Sequence, residues 1–204
     1  MAVLATDNFN RANNADLGVN WDVQNGSGEN AWKILNNAAE PSTLASNCGE
    51  SYNAVTWPDD QYSQVKCSVT GASAGTGPGP SLRCSTIART YYIIQVSEHA
   101  TQAISVRKRI AGAATSLGTI NTVWVDGDVL KAEIQGSTIK IYQNGTQIGS
   151  DITDSAIASG RAGIAYDNIS TTASVDDWEG GDFEIVAAEI VLHQAVYRGI
   201  EIRR

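Results

Sequence analysis

The chain has 204 residues, is 42% apolar, contains 19 glycines and carries a formal net charge of -8. That length and apolar content suit a single domain with a real core, and the acidic balance excludes a nucleic-acid partner, which calls for a basic stripe. No apolar run is long enough to span a membrane, and the opening MAVLATDNFNRANN lacks the regions of a secretory signal. A soluble protein made in a cytoplasm is therefore expected, a property that virion-surface proteins share. Three cysteines at irregular spacing make neither a disulfide framework nor a metal motif.

In chain order, strands are expected over 3–10 (VLATDNFN) and from Trp21 (WDVQN), and AWKIL turns at Asn36-Asn37 into AAE. Residues 41–49 read as a loop, and 52–57 as a short strand ended by Pro58-Asp59-Asp60. In QYSQVKCSV (61–69), Val65, Cys67 and Val69 point inward while Tyr62, Gln64 and Lys66 point outward. GASAGTGPGP (71–80) is too rich in Gly and Pro for regular structure. SLRCST (81–86) places Leu82 and Cys84 inward and Arg83 outward. TYYIIQVS (90–97) puts Tyr92, Ile94 and Val96 on one face and Tyr91, Ile93 and Gln95 on the other. QAISVRKRI (102–110) sends Ile104 and Val106 inward and Arg107 and Arg109 outward. Strands follow around 114–117 and 121–125, then the turn Asp126-Gly127-Asp128.

The clearest stretch is VLKAEIQGSTIKIYQNGTQIG (129–149), three antiparallel strands joined by tight turns at Gly136-Ser137 and Asn144-Gly145. Two-residue turns would pair Ile134 with Ile139, Ala132 with Ile141 and Ile141 with Ile148 on an apolar face. Glu133 would then face Lys140, and Tyr142 would face Gln147, on a polar, solvated face. RAGIAY (161–166) and ASVDDW (173–178) add two strands, and 151–159 holds a loop or helical turn. Many short strands without a helix-strand rhythm indicate an all-β sandwich. Past Gly180-Gly181, the stretch EIVAAEIVLHQAVYRGIEIRR (184–204) is more apolar than anything before it. It reads as an extension that folds back, docks on another protein or joins copies of the chain into a homo-oligomer.

DNFNRANNADLGVNW, DDQYSQVKCSV, SLRCS, TYYIIQVS, GDVLKAEIQGSTIKIYQNG, SGRAGIAYDN and ASVDDWEGG form an ordered set. Together they resemble the concanavalin A-like lectin/glucanase superfamily, in the laminin G-like form of phage and bacterial proteins. The resemblance implies a two-sheet antiparallel jelly-roll β-sandwich over 1–183, its first and last strands adjacent, with 184–204 as a C-terminal extension. It also implies a structural calcium near the paired termini, at Asp177 with Asp7 as a neighbour, although a turn cap or a bond to backbone amides is the better reading of Asp177.

Function must come from a site, since this fold serves lectins, hydrolases and structural modules. Hydrolysis needs two carboxylates flanking the sugar bond. The Glu-x-Asp-x-x-Glu strand of laminarinase-type members is absent, and Asp59-Asp60 and Asp176-Asp177 fall at turns or strand ends. His99 and His193 show no metal or triad spacing, so no catalytic residues are expected. If the strands bearing Tyr62, Lys66, Arg83, Tyr91 and Arg107 are neighbours, one outer face gathers tyrosines among cations. Such a face would suit an acidic glycan through stacking and bidentate pairing; otherwise it is an ordinary solvated face. Trp57, beside Pro58 in a loop, is the tryptophan least committed to the core. The preferred reading is a non-catalytic virion structural or adhesion protein of phage type, a capsid decoration or a tail or fibre component, with carbohydrate or another virion protein as partner. The alternatives are a free-standing lectin-like carbohydrate-binding module and, less favoured, a glycoside hydrolase-like enzyme.

Overall fold

The computed structural model describes residues 1–23, 31–43, 47–70, 77–85, 88–97, 102–167 and 172–183. Expectations about His99, His193 and the extension 184–204 lie outside these residues. Among them, fifteen strands follow in order: β1 (Ala2–Asp7), β2 (Trp21–Val23), β3 (Trp32–Leu35), β4 (Ala38–Pro41), β5 (Asn47–Tyr52), β6 (Gln61–Thr70), β7 (Pro78–Cys84), β8 (Tyr91–Val96), β9 (Ala103–Ile110), β10 (Ala113–Asn121), β11 (Val129–Gln135), β12 (Thr138–Gln143), β13 (Thr146–Thr153), β14 (Arg161–Asp167) and β15 (Thr172–Asp182). No described residue is helical.

The strands form two antiparallel sheets. One runs β13-β12-β11-β6-β15-β4-β3, with β1 also pairing β15; the other runs β10-β9-β8-β7-β14-β5-β2. The long β15 pairs β6 on one side and both β4 and β1 on the other, so Ala2 lies opposite Asp182 and the terminal strands are adjacent, as expected. The meander holds the expected register: Ile134 opposite Ile139, Ala132 opposite Ile141, Glu133 opposite Lys140, Ile141 opposite Ile148 and Tyr142 opposite Gln147. Asn144 (φ 50°) and Gly145 (φ 79°) both take the left-handed conformation that this hairpin turn demands. Asn36 (φ 53°) and Asn37 (φ 62°) do the same between β3 and β4.

The core lies between the sheets. Val65, Cys67 and Val69 of β6, Tyr92, Ile94 and Val96 of β8, and Ile134, Ile139 and Ile141 of the meander are each at most 3% exposed and pack into it. Each such side chain contributes roughly 1.5–3 kcal/mol through burial. The start of the fold is fixed by a polar knot. The Asp7 carboxylate accepts hydrogen bonds from Phe9 N (2.8 Å), from both guanidinium nitrogens of Arg11 (2.6 and 3.1 Å) and from Trp21 Nε1 (2.9 Å). Arg11 also donates to the Leu17 carbonyl at 2.7 Å. The spacing of Asp, Phe, Arg and Trp in the opening motif is thus a structural device that closes the loop between β1 and β2.

Several expectations need correction. Residues 47–49, expected at the end of a loop, instead open the strand Asn47–Tyr52. Its inward side chains Cys48, Glu50 and Tyr52 hid the alternation, because Glu50 is buried. The expected strand over 52–57 is absent beyond Tyr52, since Trp57 folds back so that its Nε1 donates to the Tyr52 carbonyl at 2.7 Å. Pro78–Cys84 is a strand although it begins Pro-Gly-Pro. The missing N–H groups of Pro78 and Pro80 fall on one edge, and β7 meets β8 in register only from Ser81. A register shift where β7 meets β14, with Arg83 at φ 49°, reverses the expected faces there. Cys84 joins a small buried cluster with Tyr91, Ile93 and Ala165, apart from the main core. The Arg83 side chain is only 3% exposed, against an expectation of solvent.

Candidate functional site

The residues expected to share one outer face are divided between the sheets. Tyr62 and Lys66 stand on β6, whereas Arg83, Tyr91 and Arg107 stand on β7, β8 and β9 of the other sheet. Tyr62 is 3% exposed; its hydroxyl donates to Glu179 Oε1 at 2.8 Å and its ring lies under the Lys131 ammonium at 4.4 Å. Burial, followed by Glu179, pushes its phenol far above the ordinary range. Tyr91 is fully buried. Arg107, about one-third exposed, lies 3.5 Å from Asp167, a buried carboxylate that also pairs with Arg109 at 2.8 Å. Lys66 is exposed and pairs with Asp177. These five residues therefore form no single exposed face of tyrosines and cations among the described residues. The outer face of the meander is not simply solvated either: Glu133 is 6% exposed and pairs with Lys131 at 2.6 Å.

Asp7 and Asp177 do line one groove of about 530 Å³, together with Thr6, Asn8, Gln64 and Glu179. The donor set does not fit a calcium ion. The Asp7 carboxylate is saturated by Arg11, Trp21 and Phe9, the Asp177 carboxylate is bound by Lys66, and no metal-holding group of three carboxylate, thiol or imidazole side chains occurs among the described residues.

A second concavity, of about 510 Å³, lies at one end of the sandwich and falls in the size range of small-ligand sites. One rim is the loop Asn53–Asp59 and the other is Ser159, Gly160 and Arg161. The two rims are tied from beneath. The fully buried Gln61 amide donates to the Pro58 carbonyl (2.6 Å) and to the Gly160 carbonyl (2.9 Å), while its oxygen accepts Arg83 N at 3.1 Å. The Arg83 guanidinium donates to the carbonyls of Asp59 (2.8 Å), Ile157 (2.9 Å) and Gly136 (2.8 Å). Gly160 takes φ 144°, and a Cβ there would sit 2.3 Å from the Arg83 backbone, so only glycine lets this rim approach. Arg83 is thus a buried brace of the cleft rather than a surface ligand.

Trp57 is the aromatic element of the cleft. Half-buried, it is pinned by its bond to Tyr52 and backed edge-on by Trp178 at 6.1 Å. Trp178 in turn stacks on Tyr52 (5.3 Å, 27°) and meets Trp21 at 4.8 Å. The result is a rigid ring wall whose orientation is set before any ligand arrives. Opposite it, Arg161 pairs with Asp22, which also accepts the Asn53 amide at 2.8 Å. Burial works to raise the Asp22 carboxyl, but the Asn53 bond and the Arg161 guanidinium outweigh it and hold the pKa below the ordinary range. Sequence reasoning marked Trp57 as least committed to the core. Nothing local in the sequence joins 53–59 to 159–161, because they meet through the side chains of Gln61, Arg83 and Asp22 from elsewhere in the chain.

No protein-family model matches the sequence, and no curated protein does. Solved structures do. The chain is similar to the carbohydrate-binding module CBM66 from Bacillus subtilis, with TM-score 0.65, 17% identity, and 82% of this chain and 98% of that one covered. It is also similar to the exoplasmic/lumenal domain of VIP36 in its Ca2+/Man-bound form, with TM-score 0.56, 13% identity, and coverage of 81% and 84%. A xylan β-1,4-xylosidase from Bacillus halodurans C-125 matches with TM-score 0.59 and 13% identity over 87% of this chain, which spans only 39% of the xylosidase. At these identities the likenesses establish the fold: the chain is a concanavalin A-like β-sandwich.

Proposed function

We propose that this protein is a non-catalytic carbohydrate-binding module that holds a sugar in the Trp57 cleft. The observation that carries the reading is the cleft itself: a pre-positioned tryptophan wall faces side-chain donors and acceptors across a space sized for a small ligand. Aromatic rings take the apolar C–H face of a sugar while polar groups take its hydroxyls. The named structural neighbours include a carbohydrate-binding module and a mannose-bound domain, which supports the same reading. They lend nothing to the virion role.

The carboxyls speak against hydrolysis. A general acid needs a raised pKa in contact with substrate. Glu50 has one, pushed up to about 8 by burial, but it is 2% exposed and its Oε1 accepts the backbone N of Trp32 inside the fold. Asp22, the partner of the cleft residue Arg161, is held ionised by Asn53 and Arg161.

The test is binding of the full chain to a polysaccharide panel, with Trp57→Ala and Trp57→Phe compared by calorimetry on folded protein. Binding by the native chain, weakened roughly tenfold or more by Trp57→Ala and less by Trp57→Phe, is the expected result. Failure to bind any glycan, or equal affinity in all three proteins, overturns the assignment of the cleft. Release of reducing ends by pure protein overturns its non-catalytic half.

A further inference from the structure

Resting on the cleft as a sugar site, we infer that it selects uncharged sugars and rejects acidic ones. The charged side chains that line the cleft are Arg161 and Asp59, and Asp22 is the ion-pair partner of Arg161. One guanidinium thus stands against two carboxylates. Arg161 Nη1 is in direct ion-pair contact with Asp22, which balances its charge. Asp59 is exposed, and its carboxylate has no ion-pair or hydrogen-bond partner among the described residues. The nearby Arg83 does not compensate it. That guanidinium is buried, directs its N–H groups to three carbonyls and lies 3.6 Å from the neighbouring Asp60, whose Oδ1 also accepts Gly136 N at 2.7 Å.

The consequence is a site with one unpaired carboxylate and a single cation whose charge Asp22 already balances. An ionised carboxylate has only acceptor capacity, enough for two hydroxyl hydrogens at once. Asp59 therefore suits a vicinal pair of sugar hydroxyls, which would donate to it while the ring lies against Trp57. A uronate or sialate carboxylate in the same place would meet Asp59 as a like charge. Any contact it made with Arg161 would compete with Asp22 for that one positive charge, and Asn53 also holds Asp22 in place at 2.8 Å. This reverses the expectation, drawn from the arginines of the sequence, that the ligand is acidic.

The experiment compares matched polymers that differ only in charge, mannan with polymannuronate and hydroxyethyl with carboxymethyl cellulose, using the full chain and its Asp59→Asn variant. For a bound pair, the neutral polymer is expected to bind about tenfold more tightly at low salt, the scale of one nearby like charge at high effective dielectric. That ratio should shrink in Asp59→Asn and at high ionic strength, where exposed charges are screened. Loss of charge discrimination in Asp59→Asn, with Trp57 still required, supports the inference. Equal or tighter binding of the acidic member by the native chain overturns it and leaves sugar binding at Trp57 standing. Absence of binding to every polymer overturns both.

Discussion

The meander and the Trp57 end of the sandwich are built by opposite means. Within β11–β13 each strand pairs its neighbour in sequence through two short turns that set the register, and the distant β6 joins only at the other edge of β11. At the other end, Trp21, the Tyr52–Trp57 segment and Trp178 come from three distant parts of the chain, and the rims of the cleft are joined through the side chains of Gln61, Arg83 and Asp22. The first region stabilises the fold through local pairing. The second converts fold stability into a positioned surface, so damage to its interior should reach function, whereas damage to the meander should not.

The sharpest way to break that contrast is Trp178→Ala. The ring is 1% exposed, touches three other aromatic rings and donates through Nε1 to Ser63 Oγ at 2.9 Å. Its removal should cost about 3–5 kcal/mol in urea denaturation, and the surviving folded fraction should bind sugar poorly, because Trp57 loses its backing. Ile141→Ala in the meander should cost about 2–4 kcal/mol yet leave affinity per folded molecule unchanged. If Ile141→Ala and Trp178→Ala affect binding alike, the division between the two regions is wrong. Trp178→Phe provides a milder variant if the alanine fails to fold.

The next effect comes from Glu50, which ties the sheets where β5 faces β3 through its 2.7 Å bond from Trp32 N. Burial, with smaller contributions from the charges of Asp16 and Asp22, raises its pKa from 4.5 to about 8, against the opposing pull of the Trp32 N–H. The folded chain therefore keeps a proton that the unfolded chain releases above pH 4.5. The stabilisation from this group is complete below that value and is lost as pH climbs through 8, a fall on the order of 5 kcal/mol. Glu50→Gln keeps the acceptor for Trp32 and removes the titration, so its denaturation midpoint should be flatter than the native chain's between pH 5 and 8. Parallel pH profiles for the two proteins would show that Glu50 is already ionised in the fold.

These contrasts also explain what was legible in the sequence. Two-residue periodicity and turn chemistry act over a few residues, so the meander, the Asn36-Asn37 hairpin and the inward faces of β6, β8 and β9 could be written down in advance. β5 escaped because an acidic residue occupies a core position, which alternation scores as exposed. The faces of Arg83 and Cys84 were misassigned because a bulge is a property of two strands, and β14 lies some eighty residues further along the chain. The expected Tyr/Arg surface failed for a related reason. Alternation tells which way a side chain leaves its own strand, but not which sheet the strand joins or whether its outer face is covered. Apart from Trp57 the cleft is not legible, since it exists where Gln61, Arg83 and Asp22 draw two remote loops together.

The smallest effect probes the legible side of the comparison. Asn144 holds φ 50° in the β12–β13 turn, and its side chain also accepts Val129 N (2.9 Å) and donates to Asp128 Oδ1 (2.7 Å), latching the turn to the start of β11. Alanine tolerates the left-handed conformation less well and supplies neither bond, so Asn144→Ala should cost about 1–2 kcal/mol. Asn144→Gly removes the same two bonds but relieves the backbone, and should recover part of that loss. Equal destabilisation by both substitutions would assign the effect to the latch on β11. Full recovery in the glycine variant would assign it to turn geometry, the one feature of this hairpin that sequence reasoning used.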